Sequence, residues 1–334
     1  MTAPIPPPLR IGVIGLGHLG SLHAKMLAQM EGALLAQVYD TDPSRRAETA
    51  ALYHTTAAPT LESLLDAVDA VSIATPTSTH FAIACEAVER GKHVFIEKPI
   101  TETLEQARAL NALAERHDVL IQVGHIERFN PALVALDAYR LDPLFVESHR
   151  LAPFNPRGTD VPVVLDLMIH DIDIILSLVE SPVVSVDANG VAVVSDTADI
   201  ANARLKFANG CVANITASRI SQSRMRKMRL FQQNAYISLD FLAGTAEVFR
   251  ITDEPEGGAS PTTLLGRLDQ ASIPRRIVYE HPPAPEGHNP LRHELMLFIE
   301  AVRTGRRPLV DGRAAERALD VAERILAMIE NSPR

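Results

Sequence analysis

The first half of the chain alternates short apolar runs with longer stretches of helical period. The apolar runs lie at residues 9–14, 33–40, 68–76, 92–99 and 119–124, and helical spacing covers 19–30, 79–89 and 104–117. Strands that alternate with helices form parallel sheets through right-handed crossovers. The pattern predicts a doubly wound α/β domain over residues 1–126.

The second half changes period. Residues 127–131 open a helix, residues 144–151 are extended, and residues 163–176 are apolar at helical spacing. From 183 to 250 the pattern has a period of two, which predicts an antiparallel meander. Residues 252–290 are rich in Pro, Gly and acids, with at most one strand at 276–280, and helices at 291–303 and 312–329 close the chain. We expect a second α/β domain over residues 127–334, whose last helices pack back on the first domain.

Composition sets outer limits. A chain of 334 residues is long enough for two cores, and a net charge of −9 argues against a nucleic-acid partner. Cys85 and Cys211 are too few for a disulfide framework, no apolar run has the length of a membrane span, and the first eight residues lack the regions of a secretion signal. We expect a cytoplasmic protein with no membrane contact.

A glycine turn joins the first strand to the first helix. Gly15, Gly17 and Gly20 form G-x-G-x-x-G at this junction. The first glycine permits the turn, the second lets a pyrophosphate approach the backbone, and the third lets helix and strand pack closely. The helix N-terminus then holds the phosphates. The motif predicts a Rossmann dinucleotide site, against the alternative of a structural βα turn.

Asp40 ends the second strand, 20 residues after Gly20. A carboxylate at this place binds the adenosine ribose hydroxyls and repels a 2′-phosphate, so it predicts NAD. The alternative is an exposed turn aspartate. Arg45 and Arg46 lie close by and leave NADP open.

Polar residues follow the later strands. Ligands bind beyond the carboxyl ends of parallel strands, which places Thr75, His80, Glu97, Lys98 and His125 along one rim. Lys98 lies between an acid and a proline at this edge, which favours a functional lysine over a surface charge.

An apolar helix in the second half carries Asp166, His170 and Asp173 at i, i+4 and i+7, hence on one face. A carboxylate one turn from a histidine can orient the ring and steady its protonated form. The alternatives are an ordinary helix acid with an i,i+4 partner, or a metal site, which no further Cys/His cluster supports; we expect no metal.

A run of cations marks the predicted meander. It comprises Arg219, Arg224, Arg226, Lys227 and Arg229. A charge-protected edge strand is one explanation, and an anion site is the other.

Four motifs together resemble the glucose–fructose oxidoreductase/inositol dehydrogenase (Gfo/Idh/MocA) family. They are Gly15-Leu-Gly-His-Leu-Gly20, Ala74-Thr-Pro-Thr-Ser-Thr-His80, Glu97-Lys-Pro99 and Asp166-x-x-x-His170-x-x-Asp173. The resemblance implies a large open sheet in the second domain, NAD(P), dimers or tetramers built through that sheet, and oxidation of a sugar hydroxyl. It implies that Lys98 contacts the reacting hydroxyl and His170 acts as base with Asp166 nearby. The implied cofactor residues are Gly15, Gly17, His18, Leu19, Gly20, Asp40, Thr75, Pro76, His80, Glu97 and Lys98.

One departure narrows the resemblance. Asp160-Val-Pro-Val-Val-Leu165 stands where many members carry three glycines, and with residues 124–131 and 219–224 it is similar to the branch that oxidises the 3-hydroxyl of UDP-N-acetylglucosamine. Such members feed an aminotransferase, as in the synthesis of diamino-sugar lipid A. The expected substrate residues are Arg128, Asn130, Arg157, Asp173, Arg219, Arg224 and Arg226. Oxidation of inositol or a free sugar, or a non-catalytic NAD sensor, are the alternatives.

Overall fold

The structure is a computed structural model that describes residues 7–155, 161–253, 262–268 and 275–331. The chain divides into two compact units. The first unit comprises Met1–Ile126 and Asn289–Leu319, and the second comprises Glu127–His288 and Asp320–Arg334. Within the described ranges, no helix combines the length and the apolar composition needed to cross a bilayer.

The helices of the described residues are nine in number. They are α1 (His18–Leu27), α2 (Pro43–Tyr53), α3 (Leu61–Ala67), α4 (Thr77–Glu89), α5 (Leu104–His117), α6 (Pro131–Val134), α7 (Ile169–Leu178), α8 (Pro290–Thr304) and α9 (Gly312–Glu330). Local chemistry sets the ends of several of these helices. Asp42 caps the start of α2 by accepting the amide of Ser44, and Thr103 caps α5 by accepting that of Gln106.

The first unit contains a six-stranded parallel sheet. Its strands are β1 (Leu9–Ile14), β2 (Ala33–Tyr39), β3 (Thr56–Ala57), β4 (Ala70–Ile73), β5 (His93–Glu97) and β6 (Ile121–Gly124), in the order β3-β2-β1-β4-β5-β6. This is the strand order of a Rossmann fold, so the predicted fold class of this half is confirmed. The sequence pattern did not single out α2, β3 or α3, which are short and have exposed polar faces.

The core of this sheet is mainly aliphatic, in a chain of which only 4% is Phe, Trp or Tyr. Ile11, Val13 and Val38 from the central strands are at most 1% exposed. Phe95 of β5 meets Phe298 of α8 edge to face, with ring centroids 5.8 Å apart. Helix α8 therefore belongs to the core of the first unit, although it lies far along the chain.

The second unit contains a nine-stranded sheet. Its strands are β7 (Pro143–Leu151), β8 (Val183–Val191), β9 (Ile200–Phe207), β10 (Val212–Ser218), β11 (Met225–Gln232), β12 (Ala235–Asp240), β13 (Thr245–Thr252), β14 (Thr262–Leu268) and β15 (Arg275–Glu280), in the order β14-β15-β13-β12-β11-β7-β10-β9-β8. All neighbours are antiparallel except β7 and β10. The expectation of a large, mostly antiparallel sheet is confirmed.

Three sequence expectations about this unit are wrong in detail. Residues 252–290 hold two strands rather than one, because β14 pairs with β15. The helix expected from residue 127 is a 3-10 turn over Ile126–Phe129 followed by the single turn of α6. The predicted meander is also interrupted, since β7 lies between β10 and β11.

One face of the large sheet packs against α7, and the other carries an aromatic ladder. Val146, Ala213 and Ile215 lie on the buried face, each fully buried. On the opposite face, five rings stand at directly paired positions of five neighbouring strands, with centroids 4.8–5.7 Å apart: Phe145, Phe231, Tyr236, Phe249 and Tyr279. The ring of Phe231 is 38% exposed.

Candidate active site

The glycine turn after β1 has the geometry that a pyrophosphate site needs. Gly15 has a φ of +85°, and a side chain at Gly20 would place its Cβ 1.7 Å from the carbonyl oxygen of Gly15. These two glycines are therefore required by the fold itself. A Cβ at Gly17 would meet no described atom within 4 Å, so this position is open to a ligand. The free amides at the start of α1 and this open backbone fit a dinucleotide.

The residues that begin α1 are exposed at the same place. His18 and Leu19 both face solvent, and Leu19 is 47% exposed. Both positions are compatible with the predicted contact to a cofactor.

Asp40 has a structural task that the sequence did not reveal. One carboxylate oxygen accepts the amide of Leu16 at 2.7 Å, and the other accepts the amide of Asp42 at 2.8 Å. The side chain is therefore not an exposed turn aspartate, since the residue is 8% exposed. Asp40 fixes the glycine turn from the end of the neighbouring strand, and each oxygen keeps a second lone pair for a ribose hydroxyl.

The two nearby arginines are engaged within the first unit. Arg46 donates to the carbonyls of Ala58 and Pro59 and lies over the ring of Tyr39. Arg45 forms an exposed ion pair with Asp42 at 3.4 Å. The Arg46 guanidinium is held away from the role of a 2′-phosphate ligand.

The predicted rim is present in the sheet. Strands β4, β5 and β6 are adjacent and parallel, and Ile73 pairs with Ile96 while Glu97 pairs with Gly124. The residues that follow these strands, namely Thr75, Pro76, Lys98 and His125, thus emerge at one edge. Thr75, Glu97 and Lys98 are half-buried, Pro76 is exposed, and His125 is buried.

His80 of this group has a structural role as well as the predicted one. Its ring is 1% exposed and bridges two carbonyls, with Nδ1 3.0 Å from Pro99 O and Nε2 2.9 Å from Thr75 O. Burial lowers the pKa of His80, against the opposing effect of these two carbonyls. His80 lies between the segment after Lys98 and the end of β4, and the single N–H of its neutral ring donates to one of the two carbonyls. The expected contact with a cofactor stays a prediction.

Lys98 directly follows β5, and a cis peptide bond joins Lys98 to Pro99. Its backbone amide donates to Oε2 of Glu97 at 3.3 Å. Glu97 also approaches His23 of α1, whose Nε2 lies 3.0 Å from Oε1. Glu97 is thus held inside the first unit, and its carboxylate is largely covered, with 13% of the side chain exposed.

The second unit supplies Asp166 and His170. Asp166 lies in a single π-helical turn, Val164–Met168, which runs directly into α7. Such turns are rare and frequently occur at functional sites. Both side chains are half-buried. His170 is the second residue of the regular helix α7.

Asp173 differs from the expectation. Its carboxylate is 2% exposed and accepts Nε of Arg128 at 2.8 Å. Asp171 is buried as well and accepts two hydrogen bonds from Arg150, at 2.8 and 3.0 Å. Asp173 and Arg128 therefore anchor α7, because each uses its charge on the other.

Several other expected substrate residues are also committed to the fold. Asn130 caps α6 through the amide of Ala132 and donates to Glu127 and to Phe241 O. Arg226 pairs with Glu127 at 3.0 Å. These contacts give Asn130 a structural role, because both ends of its amide are engaged. The side chain of Arg226 remains 43% exposed beside its ion pair with Glu127.

The arginines expected at a diphosphate divide into different environments. Arg219 is 6% exposed, donates to the carbonyl of Val161 and lies 3.8 Å from Asp199. Arg224 is exposed, and Arg157 lies outside the described residues. Arg219 thus holds the segment that leads to Asp166. Of Arg219 and Arg224, only Arg224 faces solvent.

A metal centre finds no support in the described part of the chain. No group of three or more His, Cys, Asp or Glu side chains there has the arrangement needed to hold an ion.

Comparison with known proteins identifies the family. Residues 9–125 match the model of an oxidoreductase family with an NAD-binding Rossmann fold, and residues 143–238 match the model of the GFO/IDH/MocA C-terminal domain. The chain belongs to the GFO/IDH/MocA family. It is therefore an NAD-binding oxidoreductase, and the enzyme class predicted from the sequence is confirmed.

Individual relatives cover this GFO/IDH/MocA chain to different extents. It is 40% identical to the UDP-N-acetylglucosamine 3-dehydrogenase of Acidithiobacillus ferrooxidans, over 96% of this chain and 97% of that protein. A solved structure of that enzyme has a TM-score of 0.86 at 38% identity and covers 97% of this chain and 98% of its own. The chain is 31% identical to the scyllo-inositol 2-dehydrogenase (NAD⁺) of Bacillus subtilis, over 64% of this chain and 68% of the relative.

Sequence reasoning missed three groups in this GFO/IDH/MocA chain: the Arg150–Asp171 pair, the amide contacts of Asp40, and His23 with Ser72. An available signal was the apolar setting of Arg150, Asp171 and His23, since a charged or polar residue in a buried element must have a partner. The partners themselves lie in other elements.

Proposed function

We propose that this protein oxidises the 3-hydroxyl of UDP-N-acetylglucosamine to the 3-keto sugar, with NAD as acceptor. The observation that carries the proposal is the 40% identity, over 96% of the chain, to a UDP-N-acetylglucosamine 3-dehydrogenase. The similarity to the inositol enzyme reaches 64% of the chain. The higher identity to the UDP-N-acetylglucosamine enzyme, 40% against 31% for the inositol enzyme, favours the nucleotide sugar.

The proposed chemistry assigns proton transfer to the chain. When bound, NAD accepts the hydride from the carbinol carbon. His170 takes the hydroxyl proton, since an imidazole titrates near neutral pH. Asp166, in the preceding π-helical turn, orients the ring and steadies its charge. Lys98 places an ammonium group beside the oxygen and stabilises the negative charge that develops there.

We propose that NAD is preferred over NADP. Asp40 keeps lone pairs for two ribose hydroxyls, and its charge opposes a 2′-phosphate at the same place. Of the two neighbouring cations that could reverse this preference, Arg46 is bound to Ala58 O and Pro59 O, and Arg45 pairs with Asp42.

We propose further that the protein is a homo-oligomer, a dimer or tetramer, built through the large sheet. The aromatic ladder supports this, because half-exposed rings on one sheet face gain by being covered. The 3-keto product is a substrate for transamination, so we place the enzyme before an aminotransferase, as in the synthesis of diamino-sugar lipid A.

The test combines a substrate panel with isotopic labelling. We expect NADH formation with UDP-N-acetylglucosamine and none with myo- or scyllo-inositol, in the presence of a carbonyl trap that draws off the ketone. UDP-N-acetylglucosamine deuterated at C3 should transfer its label to NADH, and the sugar deuterated at C4 is the matched control. Oxidation of inositol alone would show that the protein is an inositol dehydrogenase. Transfer of label from C4 would show that the 4-hydroxyl is oxidised. NAD binding without any reduction would indicate a non-catalytic sensor.

A further inference from the structure

Three polar side chains form a continuous chain inside the first unit. Nδ1 of His23, on α1, lies 2.7 Å from the hydroxyl of Ser72, on β4. Its Nε2 lies 3.0 Å from Oε1 of Glu97, at the end of β5, although off the line of a straight hydrogen bond. The imidazole therefore connects the helix of the glycine turn to the strand that ends at Lys98.

Burial excludes the most obvious chemical use of this chain. Serine, histidine and a carboxylate in this order make the nucleophilic set of many hydrolases. Ser72 and His23 are each 0% exposed, so no substrate can reach the serine hydroxyl. The edge of Phe95 covers the imidazole, with centroids 5.3 Å apart. The group must act on its neighbours within the protein.

The neighbour it acts on is Glu97. Besides His23, this carboxylate accepts the backbone amide of Lys98 at 3.3 Å. The third side is closed by Gly124, where a Cβ would stand 3.0 Å from both carboxylate oxygens. Position 124 therefore has to be a glycine for the carboxylate to lie here, between the imidazole of His23 and the amide of Lys98.

We infer that His23 is a positioning residue that acts through Glu97 to fix Lys98 relative to the cofactor helix α1. His23 lies three residues after Gly20, on the helix whose N-terminus fits the pyrophosphate. The link therefore sets the lysine against the element that holds the cofactor. This inference rests on the proposed function in assigning Lys98 to the reacting hydroxyl.

Two substitutions separate the two ends of the imidazole. Gln at position 23 carries its amide nitrogen near the place of Nε2 and keeps a donor for Glu97. Asn reaches only the place of Nδ1 and keeps the contact with Ser72. We expect His23→Gln to keep most of the kcat and His23→Asn to lose about tenfold to a hundredfold, the scale of a small misplacement of a catalytic group. NAD affinity by calorimetry should be nearly the same for both variants.

A double-variant comparison separates positioning from general damage to the fold. In a Lys98→Met background the ammonium group is gone, so His23→Asn should cause no further loss of kcat. An equal loss of kcat in both backgrounds would overturn the inference, because His23 would then act through the cofactor or through overall stability. Equal kcat values for His23→Gln and His23→Asn would overturn it as well.

A readout without turnover keeps this inference apart from the proposed function. Reductive ¹³C-methylation of the NAD-bound protein labels lysines, and the Lys98 signal is identified by its loss in Lys98→Met. The titration midpoint of that signal should move in His23→Asn and stay in place in His23→Gln. If no sugar is oxidised, the proposed function fails while this titration still decides the role of His23; identical midpoints in all three proteins would refute it.

Discussion

Arg150 and Asp171, the residue after His170, form an ion pair with two hydrogen bonds. The Nε–Oδ2 distance is 2.8 Å and the Nη2–Oδ1 distance is 3.0 Å. Both residues are at most 2% exposed, and Arg150 also donates to Glu127 at 2.9 Å. Burial lowers the pKa of Arg150, but the two carboxylates outweigh this and raise it, so the guanidinium stays charged. The orientation of α7 thus depends on a buried cation of β7.

We expect Arg150→Met to lower the free energy of unfolding by about 3–5 kcal/mol, because it leaves the buried carboxylate of Asp171 without this cation, whereas Glu127 keeps Arg226. Chemical denaturation measures this loss. The matched control is Arg229→Met, which breaks an exposed pair with Glu147 and should cost less than about 1 kcal/mol. Similar losses in the two variants would show that the buried pair has no special weight.

Lys98→Met should lower kcat by at least about 100-fold, the scale of losing one preorganised electrostatic group. His170→Ala should also act mainly on kcat and remove the limb of the pH–rate profile near neutrality, while Asp166→Asn is milder. The measurement pairs single-turnover NADH formation with NAD affinity by calorimetry, which should survive in each variant. Near-normal oxidation by both Lys98→Met and His170→Ala would place the proton transfer elsewhere.

Asp40 should favour NAD over NADP by a factor on the order of a hundred, since a phosphate would meet a carboxylate. Asp40→Asn should shrink this ratio and also lower the melting temperature, because an amide group cannot accept from both Leu16 N and Asp42 N. Asp66→Asn, which removes an exposed carboxylate paired with Arg90 in the same unit, is the control and should leave the ratio unchanged. Comparable affinities of the unmutated protein for both cofactors would contradict the assignment.

The exposed Arg224 should contact the diphosphate of the substrate, whereas the buried Arg219 should not. A charge-assisted contact contributes about 1.5 kcal/mol or more, so Arg224→Ala should raise KM by about tenfold. Arg219→Ala should instead lower the melting temperature, since it releases Val161 O and Asp199. Steady-state kinetics at two salt concentrations distinguish the cases. An unchanged, salt-independent KM in Arg224→Ala would show that Arg224 is only an exposed surface charge; the protected-edge explanation does not apply, because β11 lies between β12 and β7.

Asp199 should make stability depend on pH in the acid range. Burial raises the pKa of its carboxyl. Hydrogen bonds from the amides of Val194 and Val193 and from the hydroxyl of Ser195 outweigh burial and hold this pKa at about 2. Because the folded pKa lies below the unfolded value, the stabilisation is complete above about pH 4 and is lost as the pH falls towards 2. Asp199→Asn should lower stability at neutral pH and flatten the unfolding free energy over this window. The exposed Asp187→Asn is the control, and an unchanged slope in Asp199→Asn would be the contrary result.

The sequence by itself determined most strands of the parallel sheet and the glycine turn that follows its first strand. Gly15 and Gly20 lie where a positive φ and a 1.7 Å approach admit no side chain, and the apolar runs of β1 and β4–β6 specify buried parallel strands. Such signals are local: each depends on a few consecutive residues and on the period of the element that holds them. The same holds for Lys98, which a strand and a proline place at the rim.

Only the tertiary structure decided which charged side chains form ion pairs within the protein. Arg226 reaches Glu127 across 99 positions of sequence, and Arg128 reaches Asp173 across 45. Insertion of β7 between β10 and β11 places Arg150 and Arg226 at paired positions, and no period along the chain encodes that insertion. An arginine in a sequence has the same charge whether it binds a substrate or a buried carboxylate. The choice depends on which acid the fold brings within about 3 Å, because ion pairs act over that distance.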